Sequence, residues 1–212
     1  MSNLITMKNV SMTFKDQKRF KIKNLFKNSK ERIVFKDLNL EIDSDSSYLL
    51  IGDNGTGKST LIRLVAGILS PTSGHISVAK KTLCCLSRDI VFYSRLTIFE
   101  NMKFCSLVLL HRSLDEQFAQ EVLNFSEVSM KLDTISNGLS TGMSARIFIS
   151  LALFSGASNI IFDETFSNVQ YDFVQKALNY AKEKKVNLII TTHSPSIFKD
   201  YDFNTIDMKS LS

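Results

Sequence analysis

The chain has 212 residues, 44% of them hydrophobic, and a net charge of +5, which suits one domain with a sizeable core and excludes a disordered chain. Its longest apolar stretches, Leu107 to Leu110 and Leu151 to Phe154, fall far short of the roughly 20 residues a membrane helix needs, and Met1-Ser2-Asn3-Leu4-Ile5-Thr6 lacks the basic start and apolar core of a secretory signal, so a cytoplasmic location is expected. Cys84, Cys85 and Cys105 are odd in number and have no metal-ligand spacing, and they read as buried reduced thiols.

In chain order, Met7 to Phe14 alternates apolar and polar residues as a half-buried strand does. A basic block follows, Lys15 to Lys36, with nine Lys or Arg against Asp16 and Glu31, a local net of +7 that leaves −2 for the rest of the chain. Such a block suits anionic lipid headgroups, nucleic acid or an acidic partner, and equally a solvated surface loop; the scarcity of interleaved aromatics argues against nucleic acid. Ile33 to Ile42 reads as a second half-buried strand and Tyr48 to Ile51 as a buried one. A glycine-rich loop leads from there into a helix over Leu61 to Leu69, stopped by Ser70-Pro71-Thr72-Ser73-Gly74. Short strands are predicted at His75 to Val78 and Leu83 to Leu86, then a helix from Ile98 to about Phe125, and another from near Thr141. Asn159 to Phe162 and Asn187 to Ile190 flank a helical segment, Val169 to Lys182, which makes a β-α-β unit with parallel strands. A closing strand is expected at Phe203 to Met208.

The glycine-rich loop reads Gly52-Asp53-Asn54-Gly55-Thr56-Gly57-Lys58-Ser59-Thr60. Its glycines let consecutive backbone N–H groups turn inward around phosphates, Lys58 reaches the β- and γ-phosphates, and the Ser59 hydroxyl suits Mg²⁺, which predicts ATP binding. The helix that follows adds its positive dipole end to the same anion. Asp163 and Glu164 close the strand Asn159 to Phe162: the first suits Mg²⁺ through its water shell and the second suits polarising an attacking water, although adjacent acids at a strand end also make an ordinary solvated turn. Leu139-Ser140-Thr141-Gly142-Met143, with Arg146 after it, opens a helix and offers a second anion site at Ser140 and the N–H groups near Gly142. His193, within Thr191-Thr192-His193-Ser194 at the end of the last apolar run, is placed to meet a γ-phosphate or the attacking water, where a lone loop histidine would otherwise be surface.

These four motifs, in this order, resemble the ATP-binding subunit of the ATP-binding cassette (ABC) transporter family over nearly the whole chain. Gly52 to Thr60 match the Walker A loop, Leu139 to Met143 the signature L-S-G-G-Q, Ile160 to Glu164 the Walker B strand and catalytic Glu, and His193 the switch histidine. The resemblance implies an α/β fold of the P-loop NTPase, ABC ATPase type: a mixed sheet with central parallel strands, an antiparallel N-terminal β part and a helical subdomain at about 98–140, with 15–36 as a basic insertion in a single domain, 1–212. It implies Lys58, Glu164 and His193 as catalytic residues. Gly52, Asp53, Asn54, Gly55, Thr56, Gly57, Lys58, Ser59, Thr60, Ser140, Gly142 and Met143 would bind nucleotide, and Ser59 and Asp163 would hold Mg²⁺. Phe14 sits where the family has an aromatic ring on adenine; Phe20 is a substitute, and both also suit the core.

Several positions depart from the family pattern. Ser87-Arg88-Asp89 stands where a Gln touches Mg²⁺ and senses the transmembrane partner, with Asp89 as a replacement oxygen. Thr141 and Met143 replace Gly and Gln in the signature, Thr165 and Gln170 replace the Pro and the inter-subunit Asp after Walker B, and Asn159 opens a strand position that is normally apolar. These changes suggest slow or tightly partner-dependent turnover. The resemblance further implies two ATP-binding subunits, identical or paired, facing head to tail, each ATP lying between the Walker A loop of one and Ser140 of the other. ATP-driven closure would power a separate transmembrane permease, with peripheral attachment to the cytoplasmic face of the membrane through the permease and no nucleic acid expected; exporters of surface polysaccharides, drugs and peptides are similar in compactness and in a long segment between the first two strands. The chain ends soon after its last strand, so a stand-alone subunit is expected. Two other readings remain open at this level: a catalytically weak ATP-binding partner in a heterodimer, and a soluble ABC-type ATPase outside transport.

Overall fold

The computed structural model describes residues 3–15, 31–79, 81–86 and 92–211. Most of the basic block, Phe20 with it, and the whole stretch Ser87-Arg88-Asp89 lie outside the described residues. The chain forms two compact units: residues 1–44, 52–79 and 207–212, and residues 45–51 and 80–206.

The first unit is built on an antiparallel three-stranded sheet. Its order is β2-β1-β4, with β1 at Asn3–Lys15, β2 at Glu31–Asp43 and β4 at Ser73–Val78. Alternation along β1 and β2 buries Ile5, Met7, Val10 and Met12 with Phe35, Leu38 and Ile42, while Lys8, Lys36 and Glu41 between them are exposed. The pairing slips by a residue at several points, and Asn9 and Asp37 take positive φ there. The Asn39 side chain accepts from the Asn9 N–H at 3.0 Å, so the irregular backbone keeps its partners. Helix α1, Lys58–Val65, packs against β4 and buries Leu61, Ile62, Leu64 and Val65. A 3₁₀ turn, Met208–Leu211, completes the unit with Met208 fully buried.

The second unit carries a five-stranded sheet of order β5-β6-β7-β3-β8: β3 Tyr48–Ile51, β5 Thr82–Leu86, β6 Asn159–Asp163, β7 Asn187–Thr192 and β8 Asn204–Asp207. β5, β6, β7 and β3 are parallel. A strand covered on both faces reads as an unbroken apolar run, which is why Ile160, Ile161 and Phe162 are all fully buried. Asn159, the odd polar residue there, faces Asn187 across the register, with the Asn187 amide donating to its side-chain oxygen at 3.5 Å. Helices α4, Thr141–Leu153, and α5, Tyr171–Glu183, line the core; α5 buries Phe173, Val174, Ala177, Leu178 and Ala181 at helical spacing.

The helix expected over Ile98 to Phe125 is two helices, α2 at Ile98–Leu110 and α3 at Glu116–Phe125. His111 takes the left-handed conformation, φ 50, and ends α2, while the Asp115 carboxylate accepts from the Phe118 N–H at 2.8 Å and starts α3. Apolar spacing continued across the break and concealed it. α2 opens on a capping box, in which the Thr97 hydroxyl accepts from Glu100 N–H and the Glu100 carboxylate accepts from Thr97 N–H. The closing strand is also shorter than expected, because Met208 leaves it to begin the 3₁₀ turn. Of the cysteines, Cys85 and Cys105 are buried and Cys84 is only partly so.

Candidate functional site

Chain order puts the glycine-rich loop directly after β3, and in the first unit it ends in α1. Gly57 is the residue before the helix and has φ 99; a Cβ there would lie 2.9 Å from both the Phe35 ring and the Val34 side chain. Only glycine meets both the conformation and the space, so the backbone can turn its N–H groups inward at the helix start. Asp53 to Thr56 form a tight turn, held by the Thr56 hydroxyl donating to the Asp53 carbonyl at 2.9 Å. Lys58, the first helical residue, is buried, and its ammonium donates to the carbonyls of Gly52 at 2.6 Å and Asp53 at 3.2 Å. A cation is thus fixed against the loop at the positive end of α1. Ser59 and Thr60 follow it on the first turn, both partly buried, and Asn54 and Gly55 are exposed at the loop's tip.

Two side chains with no sequence signal reach this loop. The Arg32 guanidinium donates to the Gly55 carbonyl at 3.3 Å. Phe14 is the cross-strand partner of Arg32 and is 39% exposed, so the core reading of Phe14 falls away and its ring shares a face with an arginine anchored on the loop. Lys209, in the 3₁₀ turn, lies 2.7 Å from the Asp53 carboxylate. That hydrogen bond, and then the charge of Lys209, hold the Asp53 carboxyl below the ordinary carboxylate range, and Asp53 in turn raises Lys209.

In the second unit the acids of β6 and the histidine after β7 come together. Parallel register sets Asp163 beside Thr191. Asp163 is 3% exposed and accepts from the Thr191 hydroxyl at 2.7 Å. Glu164 has φ 54, an uncommon conformation for a residue with a Cβ, and it turns the chain out of the sheet. Its carboxylate accepts from the Ser167 hydroxyl at 3.1 Å and lies 2.8 Å from Nδ1 of His193. The solvated-turn reading of the two acids does not describe this arrangement, since Asp163 is buried and both carboxylates have side-chain partners. Position in the register, rather than composition, was the available signal for Thr191.

The signature segment belongs to the same unit. Ser140 is the N-cap of α4, its hydroxyl accepting from the Met143 N–H at 3.1 Å. A Cβ on Gly142 would lie 2.7 Å from the Asn168 carbonyl oxygen, so glycine lets the first turn of α4 close onto the loop that follows Glu164. Ser140 and Thr141 are exposed and Met143 is partly buried. Arg146 points elsewhere: it lies 3.9 Å from the Glu127 carboxylate and over the Phe173 ring.

The ABC transporter family profile matches residues 35–167. The chain is 31% identical over 186 residues to the ATP-binding protein BexA of Haemophilus influenzae, covering 86% of this chain and 84% of BexA. It is 32% identical over 187 residues to the polysialic acid transport ATP-binding protein KpsT of Escherichia coli, covering 85% and 84%. A dimeric ATP-binding cassette solved in a post-hydrolysis state with ADP and phosphate superposes with a TM-score of 0.71 at 19% identity, over 91% of this chain and 89% of that one. A strand-loop-helix phosphate motif, parallel strands ending in Asp163 and Glu164, and a likeness that spans most of the chain lead to one conclusion: this protein belongs to the ABC transporter family and has the P-loop fold of its ATPases.

Proposed function

We propose that this chain is the ATP-binding and ATP-hydrolysing subunit of an ABC transporter, pairing head to tail with a second ATP-binding subunit and powering a separate transmembrane permease. The observation that carries this reading is the contact between Glu164 and His193 at 2.8 Å, at the strand ends where β6 and β7 run side by side. A carboxylate held against an imidazole there suits Glu164 as the base that orients water and His193 as its partner on the γ-phosphate. Lys58 would neutralise the β- and γ-phosphates, the loop from Gly52 to Thr60 would wrap them, and Phe14 would stack on the adenine. In the opposite subunit Ser140, Gly142 and Met143, at the start of α4, would close on the same nucleotide.

The donor set also fits Mg²⁺. Asp163 is a buried carboxylate with one oxygen engaged by Thr191, and among the described residues no group of three or more acidic, His or Cys side chains forms an all-protein cage. Mg²⁺ characteristically takes one or two protein oxygens and completes its shell with water and phosphate. Ser59 and Asp163 would hold it, and the ion would neutralise charge building on the phosphate oxygens.

We read residues 1–212 as one ATP-binding domain, with 98–140 as its helical subdomain and 15–36 as its insertion. The likeness to KpsT, a polysialic acid transport protein, makes a polysaccharide the first cargo to examine; an export role, with attachment to the cytoplasmic face through the permease, is part of this proposal. Gln170 and Met143, in place of the family's Asp and Gln, favour one other reading, a weakly hydrolysing member of a heterodimer. Glu164→Gln tests the site: it should bind ATP with the parent's affinity, lose turnover by about 100-fold or more, and elute as an ATP-dependent dimer in size-exclusion chromatography. Parent-rate hydrolysis by this variant would remove Glu164 from the catalytic role; no turnover by the purified parent would favour the heterodimer reading.

A further inference from the structure

Thr191 makes contacts that its neighbours in β7 do not. It is buried, 1% exposed, and follows Leu188, Ile189 and Ile190 on the strand; the next hydroxyl, Thr192, accepts instead from the Ser194 N–H at 3.0 Å. Its hydroxyl donates to Oδ1 of Asp163 at 2.7 Å and accepts from the Glu164 N–H at 2.9 Å, while its carbonyl oxygen lies 3.3 Å from that same N–H. One hydroxyl therefore bridges two consecutive acids, using its donor on the side chain of the first and an acceptor lone pair on the backbone of the second.

The second of those bonds falls on the strained residue. With φ 54, Glu164 occupies a conformation that is strained for a residue with a Cβ and persists only where the surroundings over-determine it. The short bond from its N–H to Thr191 supplies that constraint and directs the chain so that the carboxylate meets Ser167 and His193. Valine has nearly the shape of threonine and neither hydrogen-bonding role. In its place Asp163 would lose a buried charge-assisted bond, and the Glu164 N–H would keep only the longer contact to the carbonyl.

We infer that Thr191 is a positioning residue for the hydrolytic site: its hydroxyl fixes the Asp163 carboxylate and locks the Glu164 backbone in the conformation that aims the Glu164 side chain. This rests on the reading of Glu164 as the catalytic base. The role is filled by any residue at this register that presents a hydroxyl, so serine suffices and valine does not.

The test compares the full-length parent with Thr191→Val, Thr191→Ser and Glu164→Gln. Thr191→Val should lower kcat by about 10- to 100-fold, the scale of a misplaced catalytic group, raise the Mg²⁺ concentration needed for half-maximal turnover, and leave ATP affinity within about threefold, a change of less than about 1 kcal/mol. In the absence of nucleotide, amide hydrogen exchange of peptides spanning residues 163–168 should speed up in Thr191→Val and stay at the parent's rate in Thr191→Ser. Parent-like turnover and exchange in Thr191→Val, or equal losses in the serine and valine variants, would overturn the inference. If Glu164→Gln hydrolyses ATP at the parent rate, the reading of the site fails. If Glu164→Gln is inactive and Thr191→Val is not impaired, the role of Thr191 alone fails.

Discussion

At the residue scale, charge at the phosphate loop is balanced from a distant part of the chain. Asp53 stands within a loop suited to anions, and the Lys209 ammonium 2.7 Å away cancels its charge. Removing Lys209 leaves a carboxylate to repel a polyphosphate, so Lys209→Ala should weaken ATP binding severalfold at low salt and much less at high salt. Asp53→Asn in the same chain should restore the affinity, measured with a fluorescent ATP analogue. The pH dependence follows from the two shifts. Asp53 is lowered, so its contribution to stability is present above the ordinary carboxylate pKa and disappears as pH falls through its folded value; Lys209 is raised, so its contribution is present below the ordinary lysine pKa and disappears as pH rises through its folded value. Melting temperatures of the parent and Lys209→Ala should differ by a small constant amount between about pH 5 and 10, and the difference should begin to shrink only below about pH 4 and above about pH 10.4, the ordinary values from which the two groups depart.

At the element scale, Asn101 joins segments that the sequence separates. It is fully buried on α2. Its amide nitrogen donates to the carbonyls of Tyr93 at 3.1 Å and Thr97 at 2.9 Å and to the Ser136 hydroxyl at 3.0 Å, and its side-chain oxygen accepts from the Tyr93 N–H at 2.6 Å. Ser136 donates to the Tyr93 carbonyl at 2.8 Å, and Thr97 bridges Ile135, so the segment entering α2 is tied to the one that leads to Ser140. Asn101→Leu retains the volume but strands several buried polar groups. It should destabilise the protein by about 2–4 kcal/mol in urea unfolding, whereas Asn124→Ala on the outer face of α3 should cost under about 0.5 kcal/mol. α2 also presents Phe104, Leu107 and Val108 to solvent, with Tyr93 edge-on to Phe104 at 5.5 Å.

At the scale of the whole molecule, that apolar face comes after 87–89 in the chain, where family members carry a partner-sensing Gln that this sequence lacks, and we propose it as the surface for permease contact. Tagged parent captured from detergent-solubilised membranes of its host should bring down a polytopic membrane protein in near-equal amount, and Leu107→Ser/Val108→Ser should lose it without a change in melting temperature. Recovery of soluble or ribosomal partners alone would leave the ATPase chemistry standing and remove the transport role. The sequence by itself located the candidate phosphate loop, the two acids and the signature, because each is a local pattern of adjacent residues, and marked His193 by its position after the last apolar run. It also determined the parallel strands, since continuous apolar runs alternating with amphipathic segments admit few topologies. Only the tertiary structure decided the break between α2 and α3, where one left-handed residue interrupts an unbroken apolar spacing, and the exposed place of Phe14 opposite Arg32. It alone brought Lys209 to Asp53 and the Thr191 hydroxyl between Asp163 and Glu164. Those contacts join residues far apart in the chain, and strand register and packing, which no local pattern encodes, set them within reach.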